Sequence, residues 1–115
     1  MNPKFVILHA MNGKQAIEKC HMYPEIEMVL MDLKLPVIDG YEASREIRKF
    51  NHDLPIIAQS AYSSIADINK AIVAGCNEYI TKPINKDALF LILSKYLQVE
   101  NVLTEASSSV FYETE

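Results

Sequence analysis

Three residues of different chemical type close three short apolar runs: MVLM runs into Asp32, IIAQ into Ser60 and EYIT into Lys82. A carboxylate can attack a phosphoryl group when a cation screens the approaching anion and a donor meets its equatorial oxygens. Lys82 and Ser60 would supply one of each. Taken singly, each residue has an ordinary explanation, since Asp caps loops, Ser bonds backbone and Lys is solvated. Their joint occurrence points to chemistry, provided the three runs are neighbouring strands of one parallel sheet. The carboxyl ends of such strands form the rim on which α/β sites are built. Pro83, directly after Lys82, restricts the chain direction at that rim, a cis peptide bond being one way to do so.

The elements needed to carry these residues are legible. Apolar runs at Phe5 to Ala10, Met28 to Met31, Ile56 to Ser60 and Glu78 to Thr81 read as strands. Amphipathic stretches at Lys14 to Met22, Tyr41 to Phe50, Ser64 to Ala74 and Lys86 to Leu97 read as the helices between and after them. Strands alternating with helices specify a parallel sheet built by crossovers. In the last helix Leu89, Ile92, Leu93 and Tyr96 recur at i, i+3, i+4 and i+7, a stripe that must face a sheet. Asn12-Gly13 marks a turn before the first helix, Gly75 stands where a left-handed residue would end the third, and Pro55 separates the second helix from the next strand.

Composition narrows the classes. The chain has 115 residues, 50% hydrophobic and 23% charged, which suits one domain rather than two. No apolar run approaches the roughly 18 residues of a membrane span, and a cytoplasmic location without membrane partners is expected. Cys20 and Cys76 are too few for a disulfide framework and have no neighbour at zinc-ligand spacing. The net charge of −4 arises from Glu100, Glu105, Glu113 and Glu115, so residues 1 to 98 balance 11 acidic against 11 basic groups. A neutral body with an acidic tail offers no direct footprint for nucleic acid. The tail, residues 99–115, mixes a Ser run with acids, lacks periodicity, and is expected to be disordered or loosely docked.

MVLMDLKLPVIDGYEASREIR, PIIAQSA, AGCNEYITKPI and the closing amphipathic helix resemble the receiver domain of two-component response regulators, most like those attached to hybrid sensor histidine kinases. The likeness runs from about Phe5 to Leu97. It implies a flavodoxin-like α/β fold, a three-layer (βα) sandwich around a parallel sheet. It also implies a phosphorelay role, with Asp32 accepting a phosphoryl group from a phosphohistidine of a histidine kinase or phosphotransfer protein. By the same resemblance Ser60 is the conserved hydroxyl, Lys82 the conserved lysine and Tyr79 the aromatic switch. Asp32 and the backbone carbonyl of Lys34 would contact Mg²⁺, and Gly40 would lie in the loop before the next helix. Tyr79 is equally readable as a packed strand aromatic.

One part of the family pattern is missing. Receivers open with a strand ending in two adjacent acidic residues that hold Mg²⁺, whereas FVILHAMNGKQAIE already matches the family's second strand and its helix. The first acidic residue of the chain is Glu18. The expected domain, residues 1–98, is thus a receiver truncated at its N-terminus, with a weak metal site. The absent strand would be the central one of the family order 2-1-3-4-5. Phe5 to Ala10 is then expected to pair directly beside Met28 to Met31, and one sheet face to lose a helix. Self-association, a strand-exchanged dimer or cover by the tail would follow from the uncovered apolar area. The alternative function is a degenerate receiver acting only in protein interaction or dimerisation. A flavodoxin-like binding protein ranks below both, because no phosphate-binding loop follows the first strand. His9, His21 and His52 share no ligand spacing, although His9 ends a strand at the same rim. No catalysis beyond phosphoacceptance is expected, and the chain reads as a module of a hybrid kinase or a free regulator.

Overall fold

Side-chain caps start the helices where local chemistry favours them. Asn12 Oδ1 accepts from the Lys14 and Gln15 amides at 3.0 and 3.3 Å, opening helix α1 (Gly13–Met22). Asp39 Oδ1 accepts from Glu42 N–H at 2.9 Å to open α2 (Gly40–Arg48), and Ser64 Oγ accepts from Asp67 N–H at 3.1 Å to open α3 (Ile65–Val73). Each oxygen satisfies amides that have no partner within the helix. Helix α4 spans Lys86–Leu97, and Asn85 Oδ1 accepts from Asp87 and Ala88 N–H ahead of it. After α3, Gly75 takes φ +109°, the left-handed turn expected there.

In this computed structural model, which describes residues 5–10, 12–34, 38–61, 64–97 and 110–114, the strands are β1 (Phe5–Ala10), β2 (Met28–Asp32), β3 (Ile56–Ser60), β4 (Glu78–Thr81) and β5 (Val110–Thr114). They form one sheet in the order β4-β3-β2-β1-β5, every neighbouring pair parallel. β1 lies directly beside β2, with Ile7 opposite Met28 and Ala10 opposite Met31, as expected for closure of the gap. The rim then carries the ends of β1, β2 and β3 next to the turn after β4.

The tail departs from its expected disorder or loose docking at one segment. Val110–Thr114 pairs with β1 from Phe5↔Val110 to His9↔Thr114. VFYET combines β-branched and aromatic residues, and the outer edge of β1 offers a row of backbone donors and acceptors that an added strand can use. The remainder of the tail, 98–109 and 115, lies outside the described residues.

Period-two alternation splits the core into two layers. On one face Leu8, Val29, Met31, Ile56 and Ala58 pack with Ala16 and Cys20 of α1, Tyr41, Ala43 and Ile47 of α2, and Ala71 of α3. On the other, Ile7, Met28, Leu30, Ile57 and Ile80 pack with Leu89 and Leu93 of α4, bordered by Ile92 and Tyr96. Among the described residues three helices cover one face and one helix covers the other. The uneven cover matches the expectation that one face lacks a helix, and the α4 stripe is the predicted one.

Candidate functional site

Asp32 ends β2 at the rim, its side chain 15% exposed. Its Oδ1 accepts from the Lys34 backbone N–H at 2.9 Å. This local turn fixes the carboxylate and explains why the next residues leave the strand. Lys82 donates from Nζ to Asp32 Oδ2 at 2.5 Å. Its backbone N–H also donates to the Ser60 carbonyl at 2.8 Å, so the turn after β4 is tied to the end of β3. The Lys82–Pro83 peptide bond is cis. A carboxylate and an ammonium fifty positions apart in sequence are thereby held in contact.

Ser60 also reaches the rim. It is buried, at 2% exposure, and its strand position shares the parity of Ala58 rather than of Gln59. Tyr79, opposite Ala58 in the β3–β4 register, packs against the three-helix core. Ser60 and Tyr79 therefore lie on one side of the sheet, along the strand pair that ends in Lys82. Gly40 is where the loop from Asp32 returns to start α2. A Cβ there would overlap the Asp32 carbonyl and lie 2.8 Å from Leu33 Cα, so the residue must be glycine for the loop to close this tightly.

Two residues at this rim were not among the expected site residues. His9 stands one residue before the end of β1, opposite Leu30 of β2, and burial holds its imidazole below the ordinary pKa. The charge of Lys82 pushes the same way and that of Asp32 opposes it, so both groups act on His9. Gln59, opposite Asp32 in the β2–β3 register, is 1% exposed, and neither its Oε1 nor its Nε2 has a hydrogen-bond partner. A glutamine inside IIAQSA was a visible signal, an amide in an apolar run. His9 was placed at this rim from the sequence, through the expected pairing of Phe5–Ala10 beside Met28–Met31, but was given no role.

Mg²⁺ favours an octahedral oxygen set that includes carboxylates. At this rim Asp32 is the carboxylate, with Lys82 on one oxygen and the Lys34 amide on the other. Among the described residues no group of three or more His, Cys, Asp or Glu side chains could hold a metal ion. The donors present do not fit an Mg²⁺ site.

The response regulator receiver domain profile matches residues 2–94. The chain belongs to the response regulator receiver domain family. This receiver domain is 37% identical over 92 residues to the two-component response regulator ORR41 of rice (Oryza sativa subsp. japonica), covering 79% of this chain and 72% of that one. A longer relative is matched over only 24% of its length, the transcriptional regulatory protein ZraR of Klebsiella oxytoca, at 35% identity and 89% of this chain. Among solved structures, the receiver domain of the sensor histidine kinase PA1611 from Pseudomonas aeruginosa is similar, with TM-score 0.75, 28% identity, and 84% and 99% of the two chains covered. That structure has a magnesium ion coordinated in the active-site cleft. The receiver domain of the Saccharomyces cerevisiae response regulator Ssk1, solved with the histidine phosphotransfer protein Ypd1, is similar with TM-score 0.74 and 27% identity, over 84% and 90% of the chains. The fold is thus the flavodoxin-like α/β architecture of phosphorelay receivers. No described helix is long and apolar enough to cross a membrane.

Proposed function

We propose that this receiver domain accepts a phosphoryl group on Asp32 from the phosphohistidine of a histidine kinase or phosphotransfer protein. An Asp32 carboxylate oxygen attacks phosphorus, and the P–O bond forms as the P–N bond to the donor imidazole breaks, its electron pair leaving on that nitrogen. The single observation supporting this most is the contact of Lys82 Nζ with Asp32 Oδ2, a cation already fixed where the anion must approach. Ser60 is the phosphoryl ligand and Tyr79 the switch that reports it toward the face of α3, β4 and α4. The phosphoryl group drives this switch only by interacting better with one arrangement of the loop after β3 than with the other. Mg²⁺, a feature of the family, would meet Asp32 and the Lys34 carbonyl here, a donor set that does not fit it, so charge at the acceptor is offset by Lys82. Residues 1–98 form the receiver body, and 99–115 a tail whose Val110–Thr114 adds a strand to the body's sheet. The module works in the cytoplasm, as a free regulator or as part of a hybrid kinase, and passes its signal on by docking.

The test is incubation of the whole chain with a phosphorylated histidine phosphotransfer protein, read by intact mass. The expected result is a gain of one phosphoryl group that is lost in Asp32→Asn. No gain from this donor or from a small-molecule phosphodonor at any Mg²⁺ concentration would reject the reading. It would favour the second one, a degenerate receiver acting only by interaction or strand-exchanged dimerisation. The donor set around Asp32 and the addition of β5 to the β1 edge are the observations on its side.

A further inference from the structure

Gln59 is anomalous for its position. Its strand neighbours Ile57 and Ala58 are fully buried apolar residues, yet its carboxamide is buried with both polar atoms unpartnered. Buried amides are almost always hydrogen-bonded, so an exception in a core strand asks for a ligand that satisfies it. The side chain does not face a closed core. It lines a pocket with His9, Ala61, Lys82, Pro83 and Ile84. The β2–β3 register puts Gln59 opposite Asp32, and strand alternation gives His9, Asp32 and Gln59 the parity of Ile7, Leu30 and Ile57, the face covered by α4. Three strands and the turn after β4 thus bring an imidazole, a carboxamide and an ammonium to one pocket, on the sheet face that also carries Asp32, whose carboxylate Lys82 contacts.

We propose that His9 and Gln59 form a metal-independent half-site for the phosphoryl group of Asp32, each donating an N–H to its equatorial oxygens. This rests on the reading of Asp32 as the phosphoacceptor. A phosphoryl group brings roughly two negative charges to a site where Lys82 offers one positive charge. Donors must offset the remainder, and among the described residues no group of three or more His, Cys, Asp or Glu side chains could hold a metal ion. Gln59 suits the task because it has no partner in the resting state. A group that only exchanges one partner for another gains little, whereas an orphaned donor that acquires an oxygen stabilises the phosphorylated state selectively.

The experiment labels the whole chain with acetyl phosphate in excess EDTA, and in parallel with Mg²⁺, following intact mass with time and thermal unfolding of each variant. Wild type is expected to gain one phosphoryl group in EDTA. Gln59→Leu and His9→Leu should each slow the gain about tenfold, the worth of one good hydrogen bond, and His9→Asn should recover part of it by restoring an N–H. Gln59→Leu should also unfold at higher temperature, because an apolar side chain relieves the orphaned amide. A purely structural Gln59 would shift unfolding and leave the labelling rate unchanged. If His9→Leu fails to fold, Gln59→Leu decides. Equal labelling of wild type and Gln59→Leu, or wild-type labelling only with Mg²⁺, overturns the half-site and leaves Asp32 as acceptor. No label under any condition, or label that survives in Asp32→Asn, overturns the acceptor reading and the half-site together.

Discussion

At the residue scale the site depends on a pairing that neither partner makes alone. Asp32 is mostly buried while Lys82 keeps 38% of its side chain exposed, so the pair lies between a surface salt bridge and a buried one. Lys82→Ala leaves the carboxylate without its cation, and solvent at the lysine end limits the cost to about 1 kcal/mol, measured by urea unfolding. Its larger expected effect is on function, with phosphoryl transfer to Asp32 slowed by at least tenfold in a mass-resolved time course. Gly75 has a different, conformational role. At φ +109° an alanine is strained, and its Cβ would lie 2.6 Å from Arg48 Cγ, displacing the side chain that donates from Nε to the Gly75 carbonyl at 2.9 Å. Gly75→Ala is expected to cost about 1–2 kcal/mol in chemical unfolding, with labelling of Asp32 unaffected.

At the element scale, β4 and α4 are joined by Glu78. Its carboxylate accepts from Lys95 Nζ at 2.8 Å and from Tyr96 OH at 2.5 Å, which hold it below the ordinary carboxylate pKa. A carboxyl whose folded pKa is depressed adds stability that is complete above the unfolded value and is lost as pH falls through the folded one. The wild type should therefore lose stability on acidification through and below the ordinary carboxylate range, and Glu78→Gln should lose less there. At neutral pH Glu78→Gln should be less stable by about 0.5 kcal/mol, since the pair is partly solvated. Urea midpoints at successive pH values measure both slopes, and parallel slopes would show that Glu78 does not couple the two elements.

At the scale of the whole molecule the sheet places its cover unevenly and its edge in the tail. Parallel strands leave a row of unpaired backbone groups wherever the sheet stops, and β5 takes that place beside β1. A chain ending at Leu97 returns the edge to β1 and is expected to associate, its light-scattering mass rising with concentration. The full chain should rise less, or form a discrete strand-exchanged dimer in which β5 comes from a second copy. A compact monomer at every concentration, with the tail removed, would show that the β1 edge and the single-helix face need no cover.

The sequence by itself determined whatever depends on neighbours along the chain. Apolar runs gave β1, β3 and β4 at their observed ends and period 3.6 gave α4 from Lys86 to Leu97, while α1, α2 and α3 differ from expectation only at their termini, where Asn12, Asp39 and Ser64 act as caps. Asp32 and Lys82 were legible because each breaks an apolar run at a strand end, and the resemblance to receivers rests on those same breaks. Tertiary structure alone decided what depends on residues far apart in sequence. β5 was unreadable as a strand because its partner edge lies a hundred residues earlier, and hydrogen bonds across that distance leave no local periodicity. Gln59 could be read as a polar residue in a strand, but its lack of a partner is a property of the packed interior, where every atom that could have satisfied it comes from another element. His9 differs in that its place was expected from the pairing of Phe5–Ala10 beside Met28–Met31, while its burial and the charges acting on it came from packing.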